Sequence, residues 1–214
     1  DEQILAFSFL ADHRRIEGLE PVTRQALVAS YSYVRRRLDQ LISPRRGNVV
    51  SMEVSAGLGG VLNDENIARV LLQGWLLQPL GQRWSTVLRA QAGQIFGASE
   101  QSVPDDLLFR TGGDQSVRGY GYGRLGVPRG GAIVGGNVLI VLSAELIYQI
   151  NPAWGIAVFT DAGDAAASRA AFQLKQGSGI GARWRSPIGP VNFDIAHGHE
   201  SGETRLHFSI GYGF

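Results

Sequence analysis

One arginine and two carboxylates are the residues best placed to act together. Arg118 lies in Thr111-Gly112-Gly113-Asp114-Gln115-Ser116-Val117-Arg118-Gly119-Tyr120-Gly121-Tyr122-Gly123, a glycine-rich stretch. Glycine lets a backbone turn sharply, which a loop needs if it is to push a guanidinium into a confined place. Further on, Glu145 and Asp161 each sit in an alternating segment, opposite its large apolar side chains. Two carboxylates facing one restricted space repel unless a cation stands between them, and a planar guanidinium can bridge both. The chemistry expected of this trio is clamping rather than catalysis. The plainer alternative is a solvated loop arginine and two unrelated carboxylates, with Gly113, Gly119, Gly121 and Gly123 merely making the loop flexible.

Other sets carry less. His197 and His199 could hold a metal from one strand end, but no third ligand is evident, and polar histidines at a loop mouth explain them better. The glycine runs at 119/121/123 and 177/179/181 look superficially like nucleotide loops. Neither leads into a helix with an acidic residue at the right distance. Ser201 near His199 lacks a nucleophile-elbow context and reads as loop. No catalytic residue, metal or cofactor is therefore expected. With 20 basic against 19 acidic residues there is no field for nucleic acid, and zero cysteines leaves no disulfide framework.

The elements that must position these residues are strands. Alternation runs through about 3–11, 23–36, 50–59, 67–78, 83–93, 138–149, 154–161, 177–185, 191–196 and 205–214. One face of each is apolar; the other carries arginine, glutamine, serine or glycine, which suits a wet lumen better than a packed core. About ten strands of this length can cross a bilayer when tilted. Short turns at Ser43–Gly47, Pro79–Gly81, Asn151–Pro152 and Pro187–Pro190 alternate with long loops, the pattern of periplasmic turns and external loops. Trp84, Tyr148, Trp154, Trp184 and Tyr212 suit interfacial girdles. The fold expected is all-β, a transmembrane antiparallel β-barrel, rather than a soluble sandwich. The segment from about 97 to 136 exceeds ordinary loop length, which marks it as functional or disordered, and its stretch 111–123 is expected to fold into the barrel interior. No stretch is apolar for long enough to form a membrane helix. Asp1, with no leader before it, is expected to begin a fragment.

Several motifs then converge. Val117-Arg118-Gly119-Tyr120, Val158-Phe159-Thr160-Asp161-Ala162-Gly163, Gly179-Ile180-Gly181-Ala182-Arg183-Trp184-Arg185-Ser186-Pro187-Ile188-Gly189-Pro190 and an aromatic C-terminus together resemble the BamA/TamA superfamily of outer-membrane assembly factors. The likeness is greatest to TamA-like members from Gly112 to Phe214, and weaker before that, where Pro44-x-x-Gly47 carries it. The resemblance implies that 1–214 is the C-terminal part of a barrel of about sixteen strands, with periplasmic POTRA domains absent from this chain. It implies that Arg118 enters the lumen and pairs with Asp161 and Glu145. It also implies that the last strand, with Gly211, Gly213 and Phe214, forms one side of a seam.

What the resemblance implies for function is assembly or translocation of outer-membrane and autotransporter proteins in the bacterial outer membrane. The partners implied are the lipid bilayer, unfolded barrel or autotransporter clients, and an inner-membrane or periplasmic partner reached through upstream domains. Glycine at 211 and 213 weakens strand pairing, so the seam could open and template an incoming strand. The alternatives are a two-partner secretion pore, a passive diffusion porin and, more remotely, an envelope lipase using Ser201.

Overall fold

Period-two alternation governs nearly every long element of this chain. The computed structural model describes residues 1–16, 20–40, 42–59, 65–187 and 189–211. The strands are β1 (Glu2–Arg14), β2 (Val22–Leu38), β3 (Gly47–Gly57), β4 (Ile67–Leu80), β5 (Trp84–Phe96), β6 (Val127–Arg129), β7 (Ala132–Val134), β8 (Val138–Gln149), β9 (Trp154–Ala166), β10 (Lys175–Ser186), β11 (Gly189–Gly198) and β12 (Thr204–Ile210). Ten of them form one antiparallel sheet in the order β1-β2-β3-β4-β5-β8-β9-β10-β11-β12, and β6-β7 is a separate hairpin within the long loop.

The sheet is inside out relative to a soluble protein. Its outward face exposes Leu5, Phe7, Leu72, Leu142, Val158, Ile180, Leu206 and Phe208, while its inward face buries Arg24, Ser55, Arg69, Ser143, Asp161, Arg183, Asp194 and His207. A continuous exposed apolar belt of this size needs lipid to cover it. Among the described residues no helix is long and apolar enough to cross a membrane; the strands do the crossing. At the short-turn end, Trp84 leans on Tyr148 with centroids 4.9 Å apart, and Trp154 stacks on Trp184 at 5.6 Å. Amphipathic rings collected at one level mark a bilayer interface. Tyr212 lies outside the described residues.

Residues 97–137 fill the space that the sheet encloses. Val103, Leu107, Leu108, Phe109, Val117 and Leu125 pack against Ala26, Val28, Ile67, Ile95, Leu139 and Val141 from the wall. The interior at this level is thus a packed apolar core, not the wet lumen that the small and polar inward residues suggest. Those inward residues are small because the loop needs the volume: a Cβ on Gly93 would lie 2.6 Å from the Phe109 ring. The loop touches both ends of the sheet, Arg14 on β1 and His207 on β12. The sheet therefore curls around it.

Element limits differ from the sequence reading at several ends. Pro79 and Leu80 pair with Ser85 and Trp84, so β4 continues where a turn is expected, and Pro79 is tolerated there because its partner ladder is ending. Gly163 pairs with Lys175 and β9 runs on to Ala166. The β2–β3 connection spans 39–46, longer than the tight turn expected, and is held by Asp39 Oδ1 accepting the N–H groups of Gln40, Arg45 and Arg46. Among the described residues β1 pairs only with β2, and β12 only with β11.

Candidate functional site

The site is built from inward positions on four neighbouring strands. On β8 these are Ser143 and Glu145, on β9 Ala157, Phe159 and Asp161, on β10 Gly177, Gly179, Gly181 and Arg183, and on β11 Asp194 and Gly198. Register aligns them in rows: Ser143, Asp161, Gly177 and Gly198 in one, Glu145, Phe159, Gly179 and Ala196 in the next, then Ala157, Gly181, Asp194 and His207. Carboxylates thus flank a trough that β10 leaves empty of side chains.

Arg118 lies in that trough. Its Nε and Nη2 donate to Asp161 Oδ2 and Oδ1 at 2.7 and 3.0 Å, and its backbone N–H adds a third bond to Oδ2 at 3.0 Å. Nη1 donates to Glu145 Oε2 and to Asp194 Oδ2, both at 3.0 Å. The guanidinium carbon stands 3.3 Å from the centroid of the Phe159 ring. Arg118 is 3 % exposed and Asp161 0 %. A planar fork carrying five N–H donors saturates carboxylates at several angles, which an ammonium cannot do.

Two further arginines complete the cluster. Arg183 donates through Nε and Nη2 to Glu145, both at 2.7 Å, and through Nη1 to Asp194. Arg89 Nη2 donates to Ser143 Oγ at 2.9 Å and lies 3.7 Å from Asp161 Oδ1. Three guanidiniums therefore face three carboxylates. Neutrality makes the burial tolerable, since a buried charge without a partner costs several kcal/mol, about 3 or more.

The glycines on β10 are part of the fit. A Cβ at Gly177 would stand 1.9 Å from the Arg118 carbonyl oxygen; one at Gly179 would meet the Phe159 ring at 2.6 Å; one at Gly181 would meet Asp194 Oδ1 at 1.8 Å. The 177/179/181 run is strand surface cleared for the loop and its ion pairs. In the loop, Gly112, Gly113, Gly119 and Gly123 have positive φ, whereas Gly121 does not.

Other contacts pin the same segment. Tyr120 donates to the Glu200 carboxylate and also to Gln176 O at 3.2 Å. Burial, then the adjacent carboxylate, pushes the Tyr120 phenol up to about 12. The N–H of Gly119 donates to His207 Nε2 at 2.9 Å. The first half of the loop is anchored on the opposite wall. Arg24 donates through Nε to Asp12 Oδ1 and through Nη1 to Val103 O, both at 2.8 Å, while the Asp105 N–H donates to Asp12 Oδ2 at 2.8 Å. Arg69 Nε donates to Leu107 O at 2.9 Å and its guanidinium sits 4.7 Å from the Phe109 centroid.

Sequence reasoning singled out Arg118, Glu145 and Asp161 and did not single out Arg89, Arg183, Asp194, His207, Asp12, Arg24 or Asp105. For Arg24, Arg89, Arg183, Asp194 and His207 the usable signal was inward phase on their strands; Asp105 lies in the loop, where no such period runs. His197 and His199 bond to Thr204 and Ser178, and Ser201 Oγ donates to Gly198 O. Among the described residues no group of three possible ligands could hold a metal. Gly211 has φ of +81° just after β12 and its N–H still donates to Pro190 O at 2.7 Å. Gly213 and Phe214 lie outside the described residues, as does Ile188.

A lipid-facing apolar belt, a polar inward wall and a loop folded inside define a transmembrane β-barrel of the outer-membrane type. The match to the Omp85 superfamily domain covers residues 3–214, and the chain belongs to that superfamily of outer-membrane β-barrel proteins. It is 26 % identical over 201 residues to an outer membrane protein assembly factor BamA from Nitratidesulfovibrio vulgaris, covering 87 % of this chain and 25 % of that protein. It is 34 % identical over 115 residues to outer envelope protein 80, chloroplastic, of Arabidopsis thaliana, covering 48 % of this chain and 14 % of that one. The crystal structure of BamA from Haemophilus ducreyi lacking POTRA domains 1–3 superposes with a TM-score of 0.72 at 20 % identity, over 88 % of this chain and 42 % of that chain, a likeness of fold. The chain thus spans a quarter of the BamA relative's length.

Proposed function

We propose that this chain is the C-terminal part of the barrel of an outer-membrane assembly factor, which inserts β-barrel proteins through a lateral seam. The observation that carries the reading is the loop: Arg118 is locked to Asp161, Glu145 and Asp194 against a wall whose glycines leave room for its backbone. A passive porin needs an open lumen and has no use for an apolar core inside it. The relative named an assembly factor matches over 87 % of this chain. In this reading Val117, Arg118, Gly119 and Tyr120 brace the wall from within. β12 with Gly211, Gly213 and Phe214 forms one side of the seam, and the remaining strands and POTRA domains belong to the rest of the protein. A TamA-like role, with autotransporter clients and an inner-membrane or periplasmic partner, is the finer form of the same proposal; two-partner secretion is its nearest competitor.

Reconstituting the full-length protein in lipid vesicles and following insertion of an unfolded barrel client tests it. Arg118→Ala is expected to slow insertion at least tenfold, because it leaves buried carboxylates short of a cation, at about 3 kcal/mol or more. These 214 residues contain no cysteine, so a disulfide placed between positions 118 and 161 competes with no native thiol of this region. Normal insertion by Arg118→Ala, or no crosslink when both thiols are reactive and the barrel is folded, refutes the role.

A further inference from the structure

We infer that His207 is a positioning residue that fastens the loop to β12, and that it works as a hydrogen-bond acceptor. The Gly119 N–H can only donate, and it points at His207 Nε2 from 2.9 Å, so that nitrogen must present its lone pair. The ring proton then sits on Nδ1, which lies 2.6 Å from Asp114 Oδ1 and donates to it. Asp114 therefore fixes the tautomer and the orientation of the ring, as a carboxylate does for any imidazole that must accept at its far nitrogen. One loop grips one imidazole from both sides.

Gly119 has no room to find another partner. Its φ is +94°, and a Cβ there would stand 2.6 Å from Gly198 N, so its backbone is already pressed on β11. It is buried, and a buried N–H without an acceptor is costly. Asp194, the neighbour of His207 across the β11–β12 pair, is engaged by Arg118 and Arg183, and Arg205 on β12 is turned to Glu203. Among the described residues the hydrogen bonds between the loop and β12 both end on His207. Because β12 pairs only with β11 there, moving β12 withdraws the acceptor from Gly119. Loop docking and the position of the last strand are one linked event. The linkage rests on the proposed function only for its purpose; the latch itself is a property of the fold.

The test is hydrogen exchange on the full-length protein in lipid vesicles, without client, comparing His207→Leu, His207→Gln and Asp114→Ala. Loss of the acceptor in His207→Leu is expected to speed exchange across 117–120 roughly tenfold or more. The amide oxygen of His207→Gln can accept the same N–H and should keep protection near the native level. Native-like protection in His207→Leu, or a glutamine variant as open as the leucine one, overturns the acceptor role. Should His207→Leu fail to fold, Asp114→Ala, at a half-exposed position, is expected to loosen 117–120, and nitrogen-15 shifts of the native imidazole should show hydrogen on Nδ1; hydrogen on Nε2 overturns the inference. Client insertion is then measured on the same variants. A loosened loop with normal insertion leaves the latch standing and counts against the assembly reading, whereas slowed insertion with full loop protection counts against the latch.

Discussion

Gly177→Ala adds one methyl group at the place where the loop backbone lies closest to the wall. The new Cβ would stand 1.9 Å from the Arg118 carbonyl oxygen and 3.1 Å from its carbon, and both are main-chain atoms that cannot rotate away. The loop must retreat by roughly 1 Å or more to restore van der Waals contact. Such a shift takes the Arg118 N–H, now 3.0 Å from Asp161 Oδ2, beyond hydrogen-bonding range and stretches the two side-chain bonds beside it. Overpacking costs about 1–3 kcal/mol, and a lost hydrogen bond to a charged group about 1.5–3 kcal/mol. Together they disfavour the docked loop by about 3 kcal/mol or more, which is roughly a hundredfold in its equilibrium. Limited proteolysis of residues 97–137 in the folded barrel reads that equilibrium, with heat-modifiable gel mobility verifying that the barrel is closed. Gly74→Ala is the control, since nothing lies within 4 Å of a Cβ there. Protection in Gly177→Ala equal to that of Gly74→Ala would refute the account of the β10 glycines as cleared space.

The opposite anchor should matter for stability. Arg24→Ala strands Asp12 and the Val103 carbonyl, and is expected to cost about 3 kcal/mol, the low end for a broken buried pair because Asp12 keeps some solvent contact; the midpoint of denaturant unfolding measures it. At the loop mouth, burial pushes the Glu200 carboxyl upward, but the hydrogen bonds from Tyr120 and the Gln176 N–H outweigh it and hold the group below its ordinary value. Its contribution is therefore complete above the ordinary carboxylate pKa of about 4.3 and disappears as pH falls through the lower folded value. Tyr120 works in the other direction: its contribution is present below about 10 and is lost as pH rises through about 12. Loop protection measured across both ranges should weaken at each extreme, and Tyr120→Phe should flatten both limbs.

How far the sequence reaches is clearest on β8 to β10. Alternation alone assigns Glu145 and Asp161 to the inward face, and the run of small inward residues at 177, 179 and 181 is visible in print. What alternation lacks is register. Asp194 joins the cluster because it pairs with Gly181, which a sequence without pairing information does not disclose. The limits of the 97–136 segment are legible because turn-rich composition interrupts a strong period. Its apolar side chains were harder to interpret: Val103, Leu107, Leu108 and Phe109 do not alternate, since they meet a curved wall from inside and not a neighbouring strand. Arg24 and Asp12 are distant in function from any motif, and their partnership follows from a hairpin register of Asp12 against Arg24 that only the paired strands fix.

The equality of guanidiniums and carboxylates around Arg118 has an electrical consequence. With the loop seated, Arg89, Arg118 and Arg183 cancel Glu145, Asp161 and Asp194, so the buried cluster itself carries no net charge. Withdrawing the loop takes away Arg118, and Asp114 with it, and the wall that remains, Arg89 and Arg183 against Glu145, Asp161 and Asp194, carries one negative charge in excess at the moment its bore is unblocked. Any current through the barrel in that state should favour cations, so reversal potentials in a salt gradient would report when the loop has left its seat.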